Sequence, residues 1–172
     1  MNYFLTGGTG FIGRFLIEKL IARGGTVHLL VREQSQFKLD SIRERCGVDD
    51  TRVKAVIGDL TSNNLGIDSS TLKELSGNID HFFHLAAVYD MGADEEAQLA
   101  TNVDGTREAI NVADAIKAKH FHHVSSIAAA GLFKGTFRED MFEEAGKMDH
   151  PYLMTKHESE KVVREECKVP YR

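Results

Sequence analysis

Tyr152 and Lys156 stand four residues apart in Tyr152-Leu153-Met154-Thr155-Lys156, a spacing that sets a phenol and an ammonium on one face of a helix. A phenol titrates near 10 in water, too high for proton exchange at neutral pH; a neighbouring cation stabilises the phenolate and lowers that value toward the working range. Upstream, Val124-Ser125-Ser126 offers a second hydroxyl, Ser126, able to hydrogen-bond a carbonyl oxygen alongside the phenol. Two donors then polarise one carbonyl, and Tyr152 gives its proton to the forming alkoxide as a hydride arrives from a nicotinamide. This reads as carbonyl reduction or its reverse. Lys156 has a second use, holding the nicotinamide ribose hydroxyls. Asn102, in Asn102-Val103-Asp104-Gly105-Thr106, is placed to bond backbone and organise a water near Lys156; a solvent-facing helix position is the plainer alternative.

Such chemistry needs a dinucleotide. Thr6-Gly7-Gly8-Thr9-Gly10-Phe11-Ile12-Gly13 follows a predicted strand and opens a predicted helix, the context that makes a glycine fingerprint meaningful. Its amides and the positive end of the helix would face the pyrophosphate. The second strand ends in Leu29-Leu30-Val31-Arg32, where an NAD-selective protein usually carries Asp or Glu for the ribose 2′-hydroxyl. A guanidinium there instead suits a 2′-phosphate, so NADP(H) is the cofactor expected, with Arg14 as a second cation. Asp59 and Leu60 after the third strand are expected at the adenine, and Leu85, Ala86 and Ala87 after the fourth, where small residues let the ribose approach.

These groups need a scaffold that gathers the carboxyl ends of several strands. Strands are predicted over residues 3–6, 27–31, 53–57, 81–85 and 121–125, and helices over 11–23, 37–46, 70–75, 95–119 and 151–168. That alternation gives βαβ units. The fold expected is α/β, a Rossmann-like doubly wound parallel sheet flanked by helices. The final Val169-Pro170-Tyr171-Arg172 reads as the start of a sixth strand at which the sheet is truncated. Residues 1–172 are then one NADP(H)-binding Rossmann domain, with the substrate-binding part expected to be absent.

At 172 residues, 42% hydrophobic and 27% charged, the chain can build one core. A net charge of −5 without a Lys/Arg run argues against nucleic acid as a partner. Two distant cysteines, Cys46 and Cys167, form neither a disulfide framework nor a metal spacing, which suggests a reducing compartment. With no signal-peptide pattern and no apolar run near the roughly 20 residues of a membrane span, a cytoplasmic protein is expected.

Other titratable groups suit this chemistry less well. His120, His122 and His123 alternate across a strand and lack a completing ligand, so no metal site is expected. Glu139, Asp140, Glu143 and Glu144 read as a solvated acidic face. Glu158, Glu160, Lys161, Arg164, Glu165 and Glu166 read as exposed ion pairing. Ser126 lacks the glycine context of a nucleophile elbow.

The glycine loop, Gly58-Asp59-Leu60, His84-Leu85-Ala86-Ala87, Asn102 to Thr106, Val124-Ser125-Ser126 and Tyr152 to Lys156, in that order, resemble an extended short-chain dehydrogenase/reductase along essentially the whole chain. The resemblance implies Ser126, Tyr152 and Lys156 as catalytic residues and Asn102 as their support. It also places Ser125, Tyr152 and Lys156 against the cofactor. Ser126 is preferred over Ser125 because members of that family place the active hydroxyl second or later in this run, five residues before a glycine such as Gly131.

More narrowly, residues 82–91, 122–135 and 152–166 resemble bacterial fatty acyl-CoA reductases built from two fused reductase modules, and the chain is similar to the start of their N-terminal module. This implies NADPH-dependent reduction of a small-molecule substrate, a long-chain acyl-CoA or its aldehyde, toward a fatty alcohol. Leu132, Phe133, Phe137, Met141, Phe142 and Met148 would suit an acyl-chain lid, and ordinary loop packing explains them almost as well. A homodimer through the long helices is a further expectation of the resemblance. The same core serves NAD-dependent nucleotide-sugar epimerases and dehydratases, against which Arg32 argues. A non-catalytic dinucleotide-binding fragment is the other alternative, against which Ser126, Tyr152 and Lys156 together argue.

Overall fold

The computed structural model describes residues 1–89 and 94–172; Asp90 and Met91, part of the stretch 82–91, lie outside the described residues. Five strands, β1 (Asn2–Thr6), β2 (Thr26–Val31), β3 (Val53–Ile57), β4 (His81–His84) and β5 (His120–His123), form one parallel sheet in the order β3-β2-β1-β4-β5. The helices are α1 (Phe11–Ala22), α2 (Lys38–Cys46), α3 (Ser69–Leu75), α4 (Glu95–Gln98), α5 (Gly105–Ala115) and α6 (Pro151–Glu166).

Side chains alternate across a strand, so each strand feeds two cores. Tyr3, Leu5, Leu29 and Val31 pack with Ile17 and Leu20 of α1 and Leu39 and Ile42 of α2. Phe4, Leu30, Phe82 and Phe121 pack with Ala109, Ile110 and Ala113 of α5 and Val162 and Val163 of α6. Phe4 and Phe82 lie 4.6 Å apart centre to centre, and Phe82 and Phe121 5.3 Å. Fully burying each ring contributes roughly 1.5–3 kcal/mol. The two halves of the winding diverge between β1 and β4, opening a crevice at their carboxyl ends, the place where open α/β sheets bind ligands.

The elements depart from expectation at their ends. β4 stops at His84, one residue before the expected Leu85, and β5 stops at His123. Val124 N still donates to His84 O at 3.0 Å, but the chain then enters a 3-10 turn, Ile127–Ala130, capped by Ser126. The single helix expected over 95–119 is α4, then a π-helical segment Leu99–Asp104, then α5, which stops at Ala115. Lys117 takes a left-handed φ of 53° and turns the chain toward β5. The last helix ends at Glu166 rather than 168, because Cys167 is already extended ahead of Val169 and Pro170. Beyond it, Phe121 N donates to Pro170 O and Arg172 N to Phe121 O, both at 2.9 Å, so these residues run parallel to β5 as the expected start of a sixth strand. Among the described residues no helix is long and apolar enough to cross a membrane.

Candidate functional site

The glycine loop leaves β1 at Thr6 and enters α1 at Phe11. Gly7 has a φ of +71°, and a Cβ there would lie 2.6 Å from Ala86 N; one on Gly13 would collide with the backbone of Gly7 and Gly8. The turn closes through Gly10 N to Gly7 O at 3.1 Å. Side chains are thereby excluded where the first amides of α1, which have no partner within the helix, point outward. That is a cradle for a pyrophosphate.

Beside the loop lies a cleft of about 280 Å³ whose walls include Gly7, Thr9, Arg32, Asp59, Leu60 and Ala86, all anticipated from the sequence. Ser35, Lys38 and Thr101 also line it and were not anticipated. The short turn Glu33–Ser35 after β2 brings Ser35 and the start of α2 to the wall that holds Arg32. Asp59 accepts from Thr61 Oγ1 at 2.7 Å and Thr61 N at 2.9 Å; these bonds, with the Arg32 charge a smaller influence, hold its carboxyl below the usual range. The residues present therefore fit a dinucleotide: a bare backbone at one end, a pair of cations and a fixed carboxylate at the other.

Other anticipated residues sit otherwise than as simple cleft walls. Arg14 lies over the rings of Phe11 and Phe15, 5.3 and 5.6 Å from their centres, and is not part of the cleft wall. Phe11 and Ile12 are exposed at the mouth of the loop. Thr6 turns its hydroxyl inward, to His84 Nδ1 at 2.8 Å and Ala86 N at 3.3 Å. Gly8 lies against Leu29 and Ile17, while Leu85 packs against the α1–α2 core and Ala87 follows in the loop after β4.

At the other end of the crevice α6 begins. His150 Nδ1 accepts from Tyr152 N at 3.1 Å, and Pro151 occupies the first turn. Tyr152 is buried, its ring edge-on to Tyr89 at 5.0 Å. Lys156 is 4% exposed and donates to Val124 O at 3.1 Å; burial pushes its pKa down to about 8, with Glu160 pulling the other way. That bond ties the ammonium to the segment carrying Ser126. Ser126 Oγ accepts from Ala128 N at 3.2 Å. Ser125 donates to Glu160 Oε2 at 2.7 Å, turning its hydroxyl toward α6.

Asn102 is buried rather than solvent-facing. Its Oδ1 accepts from Val88 N at 2.7 Å, and its Nδ2 donates to Val88 O and to Thr155 Oγ1, each at 3.2 Å. It pins the loop after β4 to the helix that carries Tyr152 and Lys156.

Glu160, expected among exposed ion pairs, is half-buried between Ser125 and Arg164. Phe137 and Met141 line a second hollow together with Ser125 and Ser126. Phe142 instead stacks on His157 at 4.3 Å, Met148 packs under Gly131, and Leu132 is exposed. The apolar residues of this loop thus face several directions. His122 meets His81 at 3.0 Å on the sheet face opposite His123; among the described residues no group of His, Cys, Asp and Glu is arranged to hold a metal.

Comparison with known proteins agrees with this fold. The model of an NAD-binding family described as male sterility protein matches residues 5–172. The chain is 30% identical over 173 residues to a linear gramicidin synthase from Brevibacillus parabrevis, covering 92% of this chain and 3% of that protein. It is 31% identical over 129 residues to a putative fatty acyl-CoA reductase from Drosophila melanogaster, covering 67% and 24%. The crystal structure of the terminal R domain from the myxalamid PKS-NRPS pathway superposes with a TM-score of 0.82 at 29% identity, covering 99% of this chain and 47% of that one. UDP-glucuronic acid 4-epimerase from Bacillus cereus, in complex with NAD, shares the fold at a TM-score of 0.74 and 24% identity, covering 99% and 55%. The chain therefore spans less than half the length of the first three of these relatives.

Proposed function

Because the chain belongs to the male sterility protein family of extended short-chain dehydrogenase/reductases, a family of oxidoreductases, we propose that residues 1–172 are the cofactor-binding and catalytic core of an NADPH-dependent reductase. Its substrate is a long-chain acyl thioester or the corresponding aldehyde, reduced toward a fatty alcohol, with the substrate-binding part supplied outside these residues. The observation that carries the reading is the burial of Tyr152 and Lys156 on one helix, tied through Val124 to Ser126 and through Asn102 to the crevice beside the glycine loop.

When bound, the dinucleotide supplies a hydride from its nicotinamide. The backbone from Gly7 to Gly13 receives the pyrophosphate, and Asp59 with Leu60 flanks the adenine. Arg32, joined by Ser35 and Lys38, holds the 2′-phosphate in charge-assisted bonds. Ser126 and Tyr152 donate to the substrate carbonyl oxygen. Tyr152 passes its phenolic proton to that oxygen as charge develops there, giving the alcohol from an aldehyde, or from a thioester a hemithioacetal whose C–S bond then breaks to release the thiol and the aldehyde; Lys156 beside it stabilises the phenolate left behind. The relatives whose names carry fatty acyl-CoA reductase or a terminal R domain favour a thioester or aldehyde carbonyl.

Calorimetric titration of NADPH and NADH into the chain, and into Arg32→Ala, tests the cofactor half. Losing a charge-assisted bond costs roughly 1.5–3 kcal/mol, so the variant should bind NADPH about 10- to 100-fold more weakly and NADH nearly unchanged. Preference for NADH in the unaltered protein, with no effect of the variant, would remove the 2′-phosphate assignment and favour the epimerase-like use of this core. In the protein that contains these residues, NADPH oxidation with fatty aldehydes and acyl-CoAs tests the substrate half.

A further inference from the structure

His84 takes no part in the chemistry above, yet its ring is fully buried between the two halves of the site. Its Nε2 lies 3.0 Å from Thr106 Oγ1, and its Nδ1 2.8 Å from Thr6 Oγ1. The proton positions follow from counting. Thr106 has one hydroxyl proton, and that proton goes to Asn102 O at 2.7 Å. Thr106 must therefore accept from His84, which puts the ring proton on Nε2 and leaves Nδ1 to accept from the Thr6 hydroxyl. Every link runs in one sense: Thr6 to His84, His84 to Thr106, Thr106 to the Asn102 carbonyl.

Both ends of this chain reach the site. Thr6 is the residue before Gly7, and its oxygen also accepts from Ala86 N. Asn102 holds Val88 through both amide atoms and Thr155 through its amide nitrogen. Thr155 donates in turn to Tyr152 O at 3.3 Å and sits next to Lys156 in sequence. Directional bonds buried away from water reinforce one another, and removing one partner strands the next. Apolar packing between the same strands and helices would join them without fixing their register so narrowly.

We infer that His84, as its Nε2–H tautomer, is a positioning residue that ties the phosphate loop to the helix bearing Tyr152 and Lys156, so that filling the cleft orders the proton donor. This rests on the proposed function, in which the cleft takes a dinucleotide and Tyr152 gives the proton. It goes further by naming the side chain that makes the two act together.

Two measurements test it. Nitrogen NMR of the His84 ring in the unaltered protein reads the tautomer directly, and an Nδ1–H ring overturns the inference. Amide hydrogen exchange with and without NADPH reads the coupling in the unaltered chain, in Thr106→Val, which breaks the relay, and in Thr106→Ser, which preserves its hydroxyl. NADPH should slow exchange both at the glycine loop and at residues 152–156 in the unaltered chain and in Thr106→Ser. In Thr106→Val the loop should keep its protection while residues 152–156 lose it by about tenfold, the equivalent of one buried hydrogen bond. In the protein that contains these residues, kcat should fall with KM for NADPH nearly constant. Thr6→Val breaks the relay at its other end and serves if Thr106→Val does not fold. Equal protection of residues 152–156 in the broken and intact proteins overturns the inference. Protection of the loop alone in the unaltered chain removes the coupling but leaves the cofactor reading standing, whereas no protection anywhere overturns both.

Discussion

Lys156 holds a charge where charge is costly. Its side chain is 4% exposed, one bond to Val124 O at 3.1 Å is its anchor, and burial lowers its pKa from 10.5 to about 8. Between those two values the unfolded chain binds a proton that the folded chain does not, so stability rises with pH across that window and the burial penalty is full below about 8. Lys156→Met keeps the length of the side chain and removes the penalty. At pH 7 the variant should gain about 1–3 kcal/mol against urea denaturation, shrinking as pH approaches 10; on the proposed reading, turnover of the protein that contains these residues should fall about 100-fold or more. A loss of stability at pH 7 would mean that bonds stabilise the ammonium in place. The Tyr152–Lys156 pair was legible because spacing alone puts both on one helical face. Glu160 was legible only in part: its spacing to Arg164 predicts the ion pair it makes, but its bond to Ser125 depends on the end of β5 lying beside α6.

At the scale of elements, the same distinction separates what the sequence carries from what packing adds. Strands β1, β2 and β3 were legible as short, mostly apolar runs, β4 and β5 around the buried Phe82 and Phe121, and the glycine turn because only glycine fits between crowded backbones. The π-helical segment Leu99–Asp104 was not, since its widened turn leaves the helical pattern on either side intact. Yet that segment carries Asn102, the buried side chain that joins Val88 to Thr155. Ser35 and Lys38 were equally hidden, because their place on the cleft wall is set by the turn after β2 rather than by any spacing within α2. The glycine turn supports a prediction of its own. A methyl on Gly13 would strike the backbone of Gly7 and Gly8, neither of which is the far end of a flexible side chain. Gly13→Ala should move the loop away from α1 and weaken binding of NADPH and NADH alike, by about 10-fold or more, since the pyrophosphate is common to both. A variant that loses only NADPH would place the pyrophosphate elsewhere.

The whole molecule stores neutral histidine inside its sheet, and that decides how it meets acid. His84 is pushed down to about 3 by burial, with Lys156 adding to the shift; His123, stacked on it at 5.7 Å, is pushed still lower by burial, with His84 and Lys156 nearby. His122, more exposed, is lowered to about 4, again chiefly by burial, and counts for less. In the unfolded chain each titrates near its ordinary value of about 6.5. The unfolded state therefore binds protons that the folded state refuses, and the stability these rings permit is complete above about 6.5 and lost as pH falls toward the folded values. Each ring held neutral costs roughly 1.4 kcal/mol per pH unit in that range. From pH 6.5 to 5 the two rings together remove about 4 kcal/mol, comparable with the total of a marginally stable domain of about 5–15 kcal/mol. Carboxylates held low by hydrogen bonds, among them Asp59 and Asp80, take over only at lower pH. The expected result is a stability that falls by about 4 kcal/mol between pH 6.5 and 5, with an uptake of about two protons on unfolding read by pH-dependent urea denaturation, and acid unfolding with a midpoint below pH 5 followed by circular dichroism. His123→Phe, which replaces a ring whose buried nitrogens have no hydrogen-bond partner among the described residues, should lower that midpoint and reduce the uptake by about one proton. A stability flat between pH 6.5 and 5, unchanged by His123→Phe, would show that the buried rings titrate with water close at hand.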